Sequence, residues 1–166
     1  MVYSYSDLLK KYKNRYQIGK AIENNEIFKV ENGIYSDTKY PNEYETISKK
    51  YPNAIFTMDT AFYHYNLTDV IPEKYHLAIK KNRKRIVHSK VELYGVSGEL
   101  FEIGKTEDLI DSIKVNIYDK ERMLIELIRN KKAFTYEDYK EIITNYRNIS
   151  HKIEMRKLEK YVKYFK

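Results

Sequence analysis

Asn14-Arg15-Tyr16-Gln17-Ile18-Gly19-Lys20-Ala21-Ile22-Glu23-Asn24-Asn25, with Ile27-Phe28-Lys29-Val30-Glu31-Asn32-Gly33-Ile34-Tyr35-Ser36 close behind, is the stretch that decides how the chain begins to fold. Asn14 is a good helix cap, and Gln17 stands three residues on, where a capping partner belongs. Ile18, Ala21 and Ile22 then fall on one face at the i, i+3, i+4 spacing of a buried helical stripe. Asn24-Asn25 predicts the stop, because asparagine tolerates the left-handed backbone that ends helices. Two short β-rich runs come next, joined by Asn32-Gly33, a strong hairpin-turn dipeptide.

Upstream, Ser4-Tyr5-Ser6-Asp7 has the spacing of a capping box, and Leu8, Leu9 and Tyr12 supply the apolar stripe of a preceding helix. Lys13-Asn14 makes a short polar break. Two short helices, a tight turn and a β-hairpin, in that order within residues 1–40, predict a minimal winged helix-turn-helix. A module this small should lean on the larger C-terminal part of the chain.

Units of that kind lay the N-terminal part of their second helix against base edges in the DNA major groove. Tyr16, Lys20, Glu23 and Asn24 lie opposite the apolar stripe here, flanked by Arg15 and Gln17. Gln17 suits adenine, and Arg15 suits guanine or a phosphate. Lys10, Lys11 and Lys13 fall where backbone phosphates pass, and Asn14 sits at the turn. Lys29 and Asn32 belong to the wing. The same residues would also serve as the solvated faces of two short helices.

Residues 41–166 read as a mixed α/β unit. A helix is expected from Pro41 to Tyr51, on the spacing of Tyr44, Ile47 and Tyr51, and another from Thr60 to Tyr65, stopping at Asn66. Strands are expected at 54–58, 75–79, 91–96, 100–103 and 113–118. Helices are expected at 120–129, 136–146 and 154–165. Mixed strands followed by terminal helices predict an α+β fold.

The bulk numbers set limits. Of 166 residues, 31 are Lys or Arg and 24 are Asp or Glu, a formal charge of +7 that favours polyanionic partners. With no cysteine, neither a disulfide nor a thiolate metal site can form. No apolar run approaches the roughly 20 residues of a membrane span. The opening Met1-Val2-Tyr3-Ser4-Tyr5-Ser6-Asp7 does not resemble a signal peptide, so a cytoplasmic protein is expected. The densest basic run, Lys80-Lys81-Asn82-Arg83-Lys84-Arg85, suits an auxiliary DNA contact, an acidic or RNA-bearing partner, or a solvated loop.

Catalysis finds no footing. His64, His76 and His88 recur every twelve residues without the helical spacing of metal ligands. No phosphate-cradling glycine loop, nucleophile elbow or HExxH is present, and five glycines leave little to build one from. No metal, cofactor or enzymatic activity is expected.

Four stretches, in order, resemble the AbiEi family, the antitoxins of abortive-infection (type IV) toxin–antitoxin systems. Gly33-Ile34-Tyr35 matches the family's "GVY" at the end of the wing. Thr60-Ala61-Phe62-Tyr63-His64-Tyr65-Asn66-Leu67 is similar to its "ALYLHGL" helix, with Asn66 in place of glycine. Ile71-Pro72-Glu73-Lys74-Tyr75-His76-Leu77-Ala78 resembles its "iP..iyla" strand entry. Val115 to Leu127 resembles "v.v.s.eRTllDLl", with Met123 and Glu126 where threonine and aspartate are usual. The resemblance implies two jobs. The N-terminal module would bind double-stranded DNA of the operon promoter and repress transcription, and the C-terminal domain would counteract a nucleotidyltransferase-type toxin. Within the last motif, Arg122 has Glu126 at i+4, a spacing that suits a structural ion pair tying helix to sheet or a contact with the toxin. A winged-helix regulator with no toxin partner is the other reading of the same chain.

Overall fold

The computed structural model describes residues 1–81 and 88–165. It is an α+β fold that divides into two compact units, one of Met1–Asn53 with Leu109–Val115, the other of Ala54–Asp108 with Asn116–Lys166.

In the first unit, β1 (Val2–Ser4) leads directly into α1 (Tyr5–Tyr12). The capping box is complete: Asp7 N–H donates to Ser4 Oγ at 3.2 Å, and Ser4 N–H donates to Asp7 Oδ2 at 2.8 Å. After a two-residue turn, α2 (Arg15–Glu23) is capped by Asn14 Oδ1, which accepts from Gln17 N–H at 2.9 Å. Asn25 then takes a φ of +60°, and the chain folds back as Glu26 and Ile27 N–H donate to Ala21 O. Leu8, Ile18, Ala21 and Ile27 form the core of this unit, with Tyr3, Tyr12, Ile22 and Tyr35 packed around them.

The hairpin joins β2 (Phe28–Glu31) to β3 (Ile34–Ser36), and β1 pairs on the far side of β3, giving an antiparallel sheet in the order β1-β3-β2. Gly33 carries the turn at φ +79°. Strand β1 leaves no signal in the sequence, since three residues offer too little alternation to read.

The boundary expected at residue 40 moves. The helix α3 (Glu43–Lys50), capped by Asn42, belongs to the first unit, which runs to Asn53. Glu45 Oε1 accepts from Val2 N–H at 2.9 Å, Lys49 pairs with Asp7 at 3.0 Å, and Lys50 pairs with Glu31. These bonds tie α3 to β1, α1 and β2. They are side-chain matches between distant residues, so no compositional break marks them.

The second unit is built on a five-stranded sheet. Its elements are β4 (Ile55–Phe56), α4 (Met58–His64), β5 (Tyr75–Lys80), β6 (Val91–Val96), α5 (Gly98–Phe101), β7 (Lys105–Ile110) and β8 (Ile113–Tyr118), whose joining stretch Leu109–Val115 counts with the first unit, then α6 (Lys120–Arg129), α7 (Tyr136–Asn148) and α8 (Met155–Val162). The strand order is β6-β5-β4-β8-β7. β4 runs antiparallel to β5 and parallel to β8, while β5 and β6 are parallel from Tyr75↔Val91 to Lys80↔Val96. Ile55, Phe62, Leu67, Leu77, Ile117, Met123 and Leu127 are almost fully buried.

The strand expected at 100–103 is a helical turn instead. Leu100 and Phe101 N–H both donate to Ser97 O, closing α5, and Gly104 turns the chain at φ +77°. The strand proper lies just beyond, at β7. Its Lys105-Thr106-Glu107-Asp108 start is polar because it forms the sheet edge.

Candidate nucleic-acid interface

The residues singled out around the first two helices share one property: Lys10, Lys11, Lys13, Asn14, Arg15, Tyr16, Gln17, Lys20, Lys29 and Asn32 are all exposed. The reason is local. With Leu8 on α1 and Ile18 and Ala21 on α2 turned into the core, helical periodicity points the intervening positions outward.

Lys11, Lys13, Gln17 and Lys20 come together along a shallow groove of about 360 Å3, which Tyr12, Ala21, Asn24 and Glu26 also line. Three ammonium groups face one carboxylate there, so the groove favours anions. Arg15, Tyr16 and Asn14 are outside its lining but continue the exposed surface at the start of α2. Lys10 sits in the last turn of α1. Lys29 on β2 and Asn32 in the hairpin turn lie on a separate element.

Aromatic rings hold two of the cations. Lys11 Nζ lies 5.0 Å from the Tyr3 ring centroid and 5.3 Å from that of Tyr12, and Lys20 Nζ lies 4.9 Å from the Tyr16 ring. Such contacts steer a flexible ammonium without neutralising it. The sequence marks Tyr12 only as core. Its ring packs against the hydrophobic cluster and still reaches the groove, a double role that spacing does not reveal.

The turn between the helices is strained. Lys13 has φ +64° and ψ −30°, and Asn14 N–H donates to Tyr12 O at 2.8 Å across it. That is a γ-turn of the rarer hand, a conformation L-residues avoid. Glycine would adopt it freely, yet a lysine occupies the position.

Two electrostatic features support this unit from behind. The Ser4 backbone N–H bond to the Asp7 carboxylate, aided by Lys49 and the Ser4 hydroxyl, holds Asp7 down at about 2. Asp37 is also held below its ordinary value, first by its hydrogen bond from the N-terminal ammonium, which lies 2.7 Å away.

The other residues expected to matter lie in the second unit. Lys80 is engaged internally, 3.2 Å from Glu102 and over the Phe101 ring, while Lys81 is exposed. Arg83, Lys84 and Arg85 lie outside the described residues. His64 bonds Asp108 at 2.9 Å, and His76 Nδ1 faces Tyr94 Oη at 3.3 Å. Among the described residues, no three His, Cys, Asp or Glu side chains gather as a metal site would require.

Arg122 takes the structural role. It is wholly buried, with Nε on Glu126 Oε1 at 2.9 Å and Nη1 donating to Leu100 O and Ile103 O at 2.7 and 2.9 Å. Its guanidinium lies between the rings of Tyr118 and Phe165, at 4.4 and 4.3 Å. Burial puts the whole side chain out of reach of an outside partner, although Nη2, 2.7 Å from Glu126 Oε1, makes no aligned hydrogen bond. Gly104 makes room for it: a Cβ there would stand 2.3 Å from Arg122 Cβ.

No protein-family model matches the chain, and no curated protein matches it either.

Proposed function

We propose that residues 1–53 act as a minimal winged helix-turn-helix, with α2 as the recognition helix and the β2–β3 hairpin as the wing, and that the protein represses its own operon. The observation that carries this reading is the α1–turn–α2 surface. One side of both helices is buried in a single cluster, and the other exposes Lys10, Lys11, Lys13, Arg15, Gln17 and Lys20 without a covering element of the unit. Arg15, Tyr16 and Gln17 occupy the first turn of α2, the part such helices lay against base edges. The lysines of the preceding turn and groove would neutralise phosphates.

We further propose, from the resemblance in the 60–67, 71–78 and 115–127 motifs, that the second unit is the antitoxin portion. It would counteract a nucleotidyltransferase-type toxin in the cytoplasm during phage abortive infection. The protein works by binding, and no catalytic step is assigned to it. No helix among the described residues is long and apolar enough to cross a membrane, which is consistent with that location.

The DNA reading is tested by fluorescence anisotropy with the duplex upstream of the protein's own gene. Saturable binding that weakens steeply with salt is expected, because phosphate contacts release counterions. Salt-insensitive binding, or none, refutes it. The antitoxin reading is tested by co-expressing the full chain with the neighbouring gene and scoring growth. Rescue by both the full chain and an Arg15→Ala/Gln17→Ala variant separates neutralisation from repression. A regulator without a toxin partner would bind the DNA and rescue nothing.

A further inference from the structure

The second unit contains a cleft of about 340 Å3, walled by the sheet, by the segment around Met58 and by the C-terminal end of α6. Its charge is unbalanced. Glu126 is the carboxylate in its lining, and that group is already engaged: Oε1 accepts from buried Arg122 at 2.9 Å and Oε2 from Asn130 Nδ2 at 2.9 Å. Arg129 reaches Oε1 only at 3.5 Å, sharing it with Arg122. Lys81, also in the lining, pairs with no carboxylate among the described residues. Two cations therefore line the cleft against one carboxylate that Arg122 already engages, with Arg129 also lying over the Phe165 ring at 4.8 Å.

The walls carry two further marks of a binding site. Met58 holds a φ of +45°, a backbone conformation that a long L side chain adopts only under constraint and that clusters at ligand sites. Gly95, within β6, lines the cleft as well, and a glycine inside a strand is one mark of a close approach to the backbone. Ser97 adds a hydroxyl that makes no capping bond to α5, and Tyr94 adds a phenol at the same wall.

We infer that this cleft binds a small phosphate monoester of mononucleotide size or less, its phosphate held by Arg129 and Lys81. A monoester carries about −1.5 to −2 charge near neutrality, which matches the two cations. The guanidinium fork suits phosphate oxygens, and Ser97 supplies a further donor. The volume lies at the lower end of the roughly 300–1,000 Å3 of ligand pockets, so a dinucleotide would not fit. This inference is independent of DNA binding by the first unit.

Isothermal titration calorimetry of the full chain tests it, with adenosine monophosphate, ribose 5-phosphate and acetate at constant ionic strength. One-to-one binding of at least one phosphate ester is expected, with acetate far weaker. Arg129→Gln and Lys81→Gln should each weaken binding roughly tenfold, as loss of a charge-assisted bond does. Lys81 is exposed, so its variant reports on the cleft even if Arg129→Gln perturbs folding. No binding up to about 10 mM overturns the inference, as does equal binding of acetate. So does a loss that accompanies Lys20→Gln and spares Lys81→Gln, since the anion would then occupy the groove of the first unit.

Discussion

Replacing Lys13 with glycine should make the protein more stable and a weaker DNA binder. The side chain of Lys13 hangs from a backbone at φ +64°, ψ −30°, inside a turn closed by the Asn14 N–H to Tyr12 O bond. Holding an L-residue there costs about 1–2 kcal/mol. Glycine removes that strain but loosens the unfolded chain, which opposes the gain by about 0.4–1 kcal/mol. The net is a stabilisation on the order of 1 kcal/mol, visible as a higher urea midpoint at unchanged slope. Asn25→Gly is the internal comparison. Its φ is +60°, but asparagine already tolerates that region, so the gain there should be smaller.

The same Lys13→Gly substitution removes one of three ammonium groups from the groove. If that group meets a phosphate, DNA affinity falls and the slope of log affinity against log salt shrinks by about 0.9. Urea titration and anisotropy at four salt concentrations, on the same preparation, measure both quantities. A destabilised glycine variant would refute the strain argument. An unchanged affinity and salt slope would refute the placement of Lys13 at the interface. Stability gained and binding lost together would explain why a lysine stands where glycine is easier.

Other substitutions probe separate parts of the reasoning. Arg122→Met strands the Glu126 carboxylate and empties the slot between Tyr118 and Phe165, so a loss of about 3–5 kcal/mol is expected by denaturant unfolding; less than about 1 kcal/mol would show the buried pair to be dispensable. Gly104→Ala should destabilise the chain as well, through both its φ of +77° and its collision with Arg122; a neutral result would mean that the turn relaxes freely. Asp7 is held at about 2 in the folded state against 3.8 unfolded, so its stabilisation is present above pH 3.8 and is lost as pH falls through about 2. Asp7→Asn should therefore flatten the acid limb of a stability–pH profile, and an unaltered limb would show the capping carboxylate to be uninvolved. On DNA, Arg15→Ala with Gln17→Ala should erase preference between operator and unrelated duplex, whereas Lys11→Ala should weaken both alike, as competition binding would reveal.

Much of the fold is decided locally and is therefore legible in the sequence. Ser4 and Asp7, and Asn14 with Gln17, satisfy helix N-termini through side chains three residues apart, which is why both helix starts can be read directly. The apolar stripe of α2 fixes which of its residues face water, so the exposure of Arg15, Tyr16, Gln17 and Lys20 follows from periodicity alone. Asn25 and Asn66 end their helices at positive φ for the same short-range reason.

The tertiary structure decided what depends on partners distant in sequence. Edge strand β7 hides because its residues are polar, and its turn places Asp111 and Ser112, neither a glycine, at positive φ. The groove could not be read from charge alone. Lys11 and Lys20 lie on different helices, and only the packing of Leu8, Ile18, Ala21 and Ile27 brings those helices together. The first unit reaches Asn53 because Glu45, Lys49 and Lys50 find Val2, Asp7 and Glu31, pairings no local pattern specifies. Arg122 offered two roles by spacing and has one by burial, since its fate depends on carbonyls at Leu100 and Ile103 and on rings from both sides of its helix. Caps and periodicity are set by neighbours within a turn or two of the chain, whereas grooves, buried ion pairs and unit boundaries are set by which faces the hydrophobic effect drives together.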